Sequence, residues 1–295
     1  MGWIGVSITL LFSSIWAYWG AFENFHEGWY SVSLIENLLM FFFQYMLFSL
    51  LFIFLAVISL RWKKIGLILH LFLGSFCIYF FSGASFEVLG LLIIIPFAML
   101  GIIYYIGEPS PKRWAYRLII IIPFVITLAI SLPLGIKVSQ RVNDHDLSMR
   151  ILEGNNITLA WAPRGPGWPD KGVSWEDAQD ICTHLSEDGM SISENKQDIW
   201  RLPSVDEAVR SMMIHGESSL GTWDPETQES HYEKTPDKES PLWDVNSQVI
   251  YYWSSDTSRE DPSQAYIIVY DGGVYDKRKS NRQNYQSFRA VKDLP

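Results

Sequence analysis

Three groups of side chains in this 295-residue chain have the types and spacing to do chemistry. Glu23, His26 and Glu27 share one face if they lie on a helix, a spacing that could hold a divalent cation or relay a proton. Between residues 216 and 248 the carboxylates of Asp224, Glu226, Glu229, Glu233, Asp237, Glu239 and Asp244 are interleaved with Trp223, Tyr232 and Trp243. Carboxylates at that density suit calcium, which takes oxygen ligands, and exposed tryptophan rings suit the face of a sugar. Lys277, Arg278, Lys279 and Arg282, with Tyr275 and Tyr285 nearby, form the one positive island in an acidic region and could meet a sulfate or carboxylate.

Each group has a plainer competing reading. The first lies beside Phe22, Phe25, Trp29 and Tyr30, as in an interfacial loop that is solvated at little cost. The second reads equally as a solvated acidic insertion whose tryptophans tuck into a core, and its spacing fits no EF-hand loop. The third is the composition of a solvated hairpin tip. His70 is the only plainly intramembrane ionisable residue, with Gln44 a polar neighbour candidate. His184, His215 and His231 have no evident Ser or Cys partner, so no nucleophile, base and acid set emerges, and an enzyme is not expected.

The elements that must carry these groups fall into two halves. Residues 1–136 hold five acidic and six basic residues, whereas residues 137–295 hold 27 acidic and 17 basic. The acidic half argues against a general nucleic-acid binder, which needs clustered Lys and Arg. In the first half, uncharged runs at about residues 3–22, 37–60, 65–86, 88–107 and 118–136 are each long enough to span a bilayer, with a short turn at Ser82 to Glu87. A cleaved signal peptide is the rival for the first run, but it has no basic n-region and no small-residue cleavage site. Arg61, Lys63 and Lys64 follow the second run and Lys112, Arg113 and Arg117 precede the fifth, while the other loops carry no Lys or Arg. By the positive-inside rule the N-terminus is cytoplasmic and the C-terminal half exoplasmic, that is, periplasmic or extracellular.

Residues 137–150 read as a polar juxtamembrane connector and residues 151–295 as a folded domain. Ile157, Leu159 and Trp161 alternate as a strand. Ser174 caps a helix whose packed face carries Trp175, Ala178, Ile181, Cys182 and Leu185. Cys77 lies in a membrane run and cannot bridge to Cys182, so this domain has no disulfide of its own. Trp200 and Leu202 end a strand at Pro203, and Ser204 with Glu207 forms a capping-box pattern that starts a helix ending near His215-Gly216. Residues 216–248 read as a long loop region. Val249 to Trp253, Ala265 to Tyr270, an Asp271-Gly272-Gly273 turn, and Phe288 to Val291 complete a sheet.

In this order, Val173-Ser174-Trp175-Glu176-Asp177-Ala178 with Cys182, then Trp200-Arg201-Leu202-Pro203-Ser204, Tyr252-Trp253-Ser254-Ser255, Ala265 to Gly273, and Phe288-Arg289-Ala290-Val291-Lys292 resemble the Lcl C-terminal domain family. The resemblance covers about residues 157–293. It implies a branch of the C-type-lectin-like fold: an α+β domain of two helices, twisted antiparallel sheets and a long loop region serving as contact face. The first two motifs are also similar to formylglycine-generating enzymes, whose catalytic cysteine pair has no counterpart after Cys182. The Glu-Pro-Asn, Gln-Pro-Asp and Trp-Asn-Asp motifs of calcium-dependent lectins are absent, Trp243-Asp244-Val245 being a partial echo, so no cofactor is expected and calcium-dependent sugar recognition is unsupported. The first five-run region resembles no family.

The expectation is therefore a multi-pass α-helical membrane region followed by an α+β C-type-lectin-like exoplasmic domain that binds a glycan, cell-surface component or partner protein. The expected ligand residues are Trp223, Asp224, Tyr232, Trp243, Asp244, Lys277 and Arg278. The alternative makes the membrane half a small channel, transporter, intramembrane enzyme or subunit of a larger assembly, using Glu23, His26, Glu27 and His70, with the domain gating or recruiting. The lipid bilayer is a partner under either reading.

Overall fold

The computed structural model describes residues 1–81 and 87–294 and divides into two compact units. One is helical, Met1–Trp29 with Ser33–Val138, and the other is β-rich, from Ser139 onward together with Tyr30–Val32. The expected turn from Ser82 lies outside the described residues, up to Glu87, where the next helix starts.

The helical unit comprises α1 (Gly2–His26), α2 (Leu34–Met40), α3 (Leu47–Arg61), α4 (Lys63–Phe81), α5 (Glu87–Ile106) and α6 (Lys112–Ser139). Among the described residues, α1 and α6 are long and apolar enough to cross a membrane, and the α2–α3 pair is a third candidate if it is one span. That pair departs from the single run expected at 37–60. A π-helical turn at Phe41–Tyr45 separates the two helices, which are bent by 62°. The close approach of α1 accommodates the break: a Cβ on Gly20 would fall 2.2 Å from the Tyr45 carbonyl oxygen, so only glycine lets α1 lie against that backbone. Further along, Ser49 donates to the Ser13 carbonyl at 2.9 Å. The core stacks Phe52 between Phe12 and Phe97, with ring centroids 5.5 and 4.7 Å apart. Glu108 bridges Lys63 at 2.8 Å and Lys112 at 3.0 Å, and the Trp3 indole donates to the Ser110 carbonyl at 2.9 Å. The first turn of α1 and the two basic loops therefore share one end of this unit.

The β-rich unit contains β1 (Arg150–Gly154), β2 (Ile157–Trp161), α7 (Trp175–His184), α8 (Val205–Arg210), β3 (Met213–Ile214), β4 (Glu217–Ser218), β5 (Thr222–Asp224), β6 (Glu229–His231), β7 (Tyr251–Thr257), β8 (Gln264–Val269), β9 (Val274–Arg278), β10 (Gln286–Ser287) and β11 (Val291–Asp293). One sheet has the order β1-β2-β11, another β10-β7-β8-β9, and β3-β4 and β5-β6 are separate hairpins. Asn155 and Asn156, both at positive φ, turn β1 into β2, and Gly272 at φ +92 turns β8 into β9. The Trp200–Leu202 stretch is not a full strand: Arg201 alone bridges to Val291, with Trp200 and Leu202 buried on the opposite side. Its helix is also shorter than expected. α8 stops at Arg210, and His215 and Gly216, at positive φ, instead turn β3 into β4.

The largest departure from expectation is at residues 216–248. The segment Asp237–Ser240 is buried, and Leu242 and Trp243 enter the core. Arg141, in the expected connector, has its guanidinium 2.8 Å from the Asp237 carboxylate and over the Tyr270 ring, with the two charged side chains only 4% and 2% exposed. The Ser240 amide donates to Val142 and the Asp144 amide to the Ser240 hydroxyl. Arg289, fully buried, donates to the carbonyls of Ala162, Pro241 and Leu242 while lying 3.7 Å over the Trp168 ring. Buried charges remain charged only when paired or richly hydrogen-bonded, and here they staple both the connector and the loop to the sheets.

Candidate ligand-binding site

The corner at Ser204 positions one wall of an open cleft. The Ser204 hydroxyl accepts from the Glu207 amide and the Glu207 carboxylate accepts from the Ser204 amide at 2.8 Å, the reciprocal capping box the residue spacing predicts. Arg201 grips both oxygens of Glu207 at 2.7 Å each and reaches Asp293 at 2.7 Å. Burial pushes the Glu207 carboxyl up, but the hydrogen bonds from Arg201 and Ser204 outweigh it and hold the group below the usual carboxylate range. Asp256, near the end of β7, accepts from the Val205 amide at 2.6 Å and so locks β7 to the first turn of α8.

The opposite wall is aromatic. Trp223 on β5 meets Tyr266 on β8 edge to face, at 6.0 Å and 64°, and the Tyr266 hydroxyl donates to Gln228 at 3.1 Å. Between the walls is a cleft of about 380 Å³ lined chiefly by Ser204, Asp206, Trp223, Asp256, Arg259 and Tyr266. Asp206 is steadied by Arg210 at 2.7 Å and Asp256 by the Val205 amide, while Arg259 is exposed. Two oriented carboxylates, a guanidinium and an aromatic wall form an array of acceptors and donors beside a π-face, which is chemistry for a hydroxyl-rich ligand with apolar C–H faces.

Of the residues expected to bind ligand, Trp223 alone lines this cleft. Asp224 accepts from the Glu226 amide at 2.8 Å and closes the β5–β6 turn. Tyr232 packs on Gly272 and donates to its carbonyl at 3.1 Å. Trp243 must be corrected: it is 2% exposed and lies face to face with Tyr252 at 3.8 Å and 4°, so it offers no surface to a ligand. Asp244 pairs with Arg164 and accepts from the Asn246 amide at 2.8 Å. Lys277 and Arg278, on β9, line a separate, more open depression of about 510 Å³ with Gln264, Asp276, Ser280 and Asn281. The stretch 216–248 is thus not one contact face. Asp206, Asp256, Arg259 and Tyr266 escaped the residue-by-residue reading because they come from three separate places, α8, the end of β7 and β8; the polar run Ser254-Ser255-Asp256-Thr257 closing an apolar strand was the available signal.

In the helical unit, Glu23, His26 and Glu27 lie at the end of α1, and His26 stacks on Phe22 at 6.3 Å. His70 is buried on α4, its Nδ1 2.8 Å from the Gly66 carbonyl and its ring 6.4 Å from Tyr104, a locally satisfied packing position. Among the described residues no three His, Cys, Asp or Glu side chains are arranged to hold a metal ion.

Residues 151–292 match the family model of the Lcl C-terminal domain. No curated protein and no solved structure matches the chain.

Proposed function

We propose, from the premise that residues 151–292 are an Lcl C-terminal domain, that this chain is a multi-pass membrane protein displaying a C-type-lectin-like binding module on the exoplasmic side. Its ligand is a glycan or glycan-bearing cell-surface component. The observation that carries the reading is the cleft, in which Trp223 and Tyr266 face Asp206, Asp256 and Arg259. Two helices, two larger sheets, and first and last strands that both pair with β2 support the fold assignment. The bridging of Lys63 and Lys112 by Glu108, with Trp3 hydrogen-bonded beside them, supports a cytoplasmic N-terminus, because both basic loops then face one side.

The test is thermal unfolding of residues 139–295 against neutral and sulfated glycans, each with calcium and with chelator. A ligand at a hundredfold its Kd should stabilise the fold by about 2.7 kcal/mol, because it binds only the folded state. The reading expects that gain to vanish in Trp223→Ala and in Arg259→Ala. A gain that survives both substitutions moves the site elsewhere, and Lys277→Glu with Arg278→Glu then examines the basic depression. Sidedness is read from a C-terminal tag, which protease added outside the membrane should remove.

A further inference from the structure

The end of the helical unit that holds both basic loops carries more positive charge than its own residues balance. Arg61 closes α3, Lys63 and Lys64 open α4, and Lys112, Arg113 and Arg117 lie in the first two turns of α6. Glu108 is engaged by Lys63 and Lys112, and no other acidic residue lies in either loop. Six cations against one carboxylate leave a formal charge of +5. Arg61, Lys64, Arg113 and Arg117 are exposed, and none of them pairs with a carboxylate among the described residues.

These cations do not serve the helices that bear them. Neither α4 nor α6 has an acidic residue in its first turn, where the helix dipole favours anions and disfavours Lys and Arg. Arg113 and Arg117 are four apart on α6, so their Cβ atoms stand about 6 Å from one another on one face and the like charges repel. An anion from outside the chain relieves both conflicts.

Depth identifies that anion. Arg61, Lys64 and Arg117 each sit one position outside an apolar run, those expected at 37–60, 65–86 and 118–136, and so mark the boundary between hydrocarbon and headgroups. From Arg117, Lys112 lies five residues back along α6. That is about 8 Å at 1.5 Å per residue, the thickness the headgroup layer adds to each side of the hydrocarbon. Trp62 and Trp114 are exposed, with the guanidiniums of Arg61 and Arg117 over their rings at 5.7 and 5.3 Å. Indoles in this position settle at headgroup level.

We propose that this end of the helical unit is a binding site for the phosphate of a net-anionic phospholipid, held between Arg113 and Arg117. Glu108 ties the two loops together, so Arg61 and Lys64 add to the same positive field. The site rests on the helical unit being membrane-embedded, holds for either sidedness, and is independent of the cleft.

The test titrates the purified full chain, in detergent micelles, with phosphatidylglycerol and separately with phosphatidylcholine, and counts bound lipids by native mass spectrometry. Phosphatidylglycerol should bind roughly tenfold more tightly, equivalent to about 1.4 kcal/mol. Arg113→Gln with Arg117→Gln should bring that preference down to about twofold, whereas Glu108→Gln, which frees two lysines, should raise it. A general loss of packing cannot produce both signs. A preference below about twofold in the unaltered chain, or one indifferent to the double arginine variant, overturns the site. Glycerol phosphate binding as tightly as phosphatidylglycerol overturns the lipid assignment in favour of a soluble phosphate ester. Alkaline carbonate extraction from phosphatidylcholine vesicles examines the membrane reading by itself. A chain that washes out overturns that reading, and one that stays without a headgroup preference overturns the site alone.

Discussion

Replacing Arg141 by Ala tests whether the residues before the domain belong to its fold. The guanidinium is 4% exposed and the Asp237 carboxylate 2%, with Nη2 and Nε at 2.8 and 3.1 Å from the same oxygen. Removing one partner of a buried pair strands the other charge, at a cost of about 3–5 kcal/mol. For a domain of this size, each kcal/mol moves Tm by about 2–4 °C, so Arg141→Ala should lower Tm by roughly 6–20 °C. Lys238 favours the lower end. Burial pulls its ammonium well down, Arg141 pulls it further, and removing Arg141 eases the smaller of these two effects beside Asp237. Asp237→Asn provides the control, because an amide oxygen still accepts from the Lys238 amide, now at 2.7 Å. The double variant should therefore be more stable than Arg141→Ala alone. Thermal unfolding of residues 139–295 measures all three. A loss under about 2 °C for Arg141→Ala, or effects that simply add, would refute the argument from the stranded charge.

Three further outcomes are expected. A domain begun at Ile151, where the family match starts, loses Arg141, Val142 and Asp144 and should melt well below one begun at Ser139, by differential scanning calorimetry. Trp243→Ala should cost about 3–5 kcal/mol as a core truncation, whereas Trp223→Ala should remove glycan binding at a smaller stability cost; a binding loss confined to the Trp243 variant would reverse their roles. Glu207 has a folded-state pKa below its ordinary 4.5, so the stability it contributes is present above pH 4.5 and lost as pH falls through the lower folded value. The Tm gap between the native domain and Glu207→Gln should therefore shrink in acid, and a gap that widens below pH 4.5 would contradict the Arg201 pairing.

Local features of this fold were legible because their causes are local. The capping box at Ser204, the Ser174 cap, the Asp271-Gly272 hairpin and the alternation of Ile157, Leu159 and Trp161 each depend on residues within a few positions of one another. What escaped depends on distant partners. Asp237 and Glu239 look like solvated carboxylates until Arg141, 96 residues before Asp237, and the His215 amide are brought to them. Arg289 sits in what reads as an ordinary strand end, yet its acceptors lie at Ala162, Pro241 and Leu242. The 62° bend leaves no trace in an apolar run, because it arises where Gly20 of another helix lies against the Tyr45 backbone. The cleft was only partly visible for the same reason: Trp223, like Trp243, stood out as a tryptophan among acids, while Asp206, Asp256 and Tyr266 gain meaning from juxtaposition.

The pairing of β2 with both β1 and β11 has a consequence for how such a protein can arise. Trp161 stands opposite Arg150 on one side and Val291 on the other, so the chain enters and leaves this sheet at neighbouring points. A module with adjoining ends can be grafted onto an unrelated anchor through a single seam, without reopening its interior. The two parts of such a chain are then free to diverge under separate pressures. The family match, confined to residues 151–292, follows that seam. The pair of Arg141 with Asp237 then lies outside the matched residues on one side and inside them on the other, tying the segment before the seam into the β-rich unit.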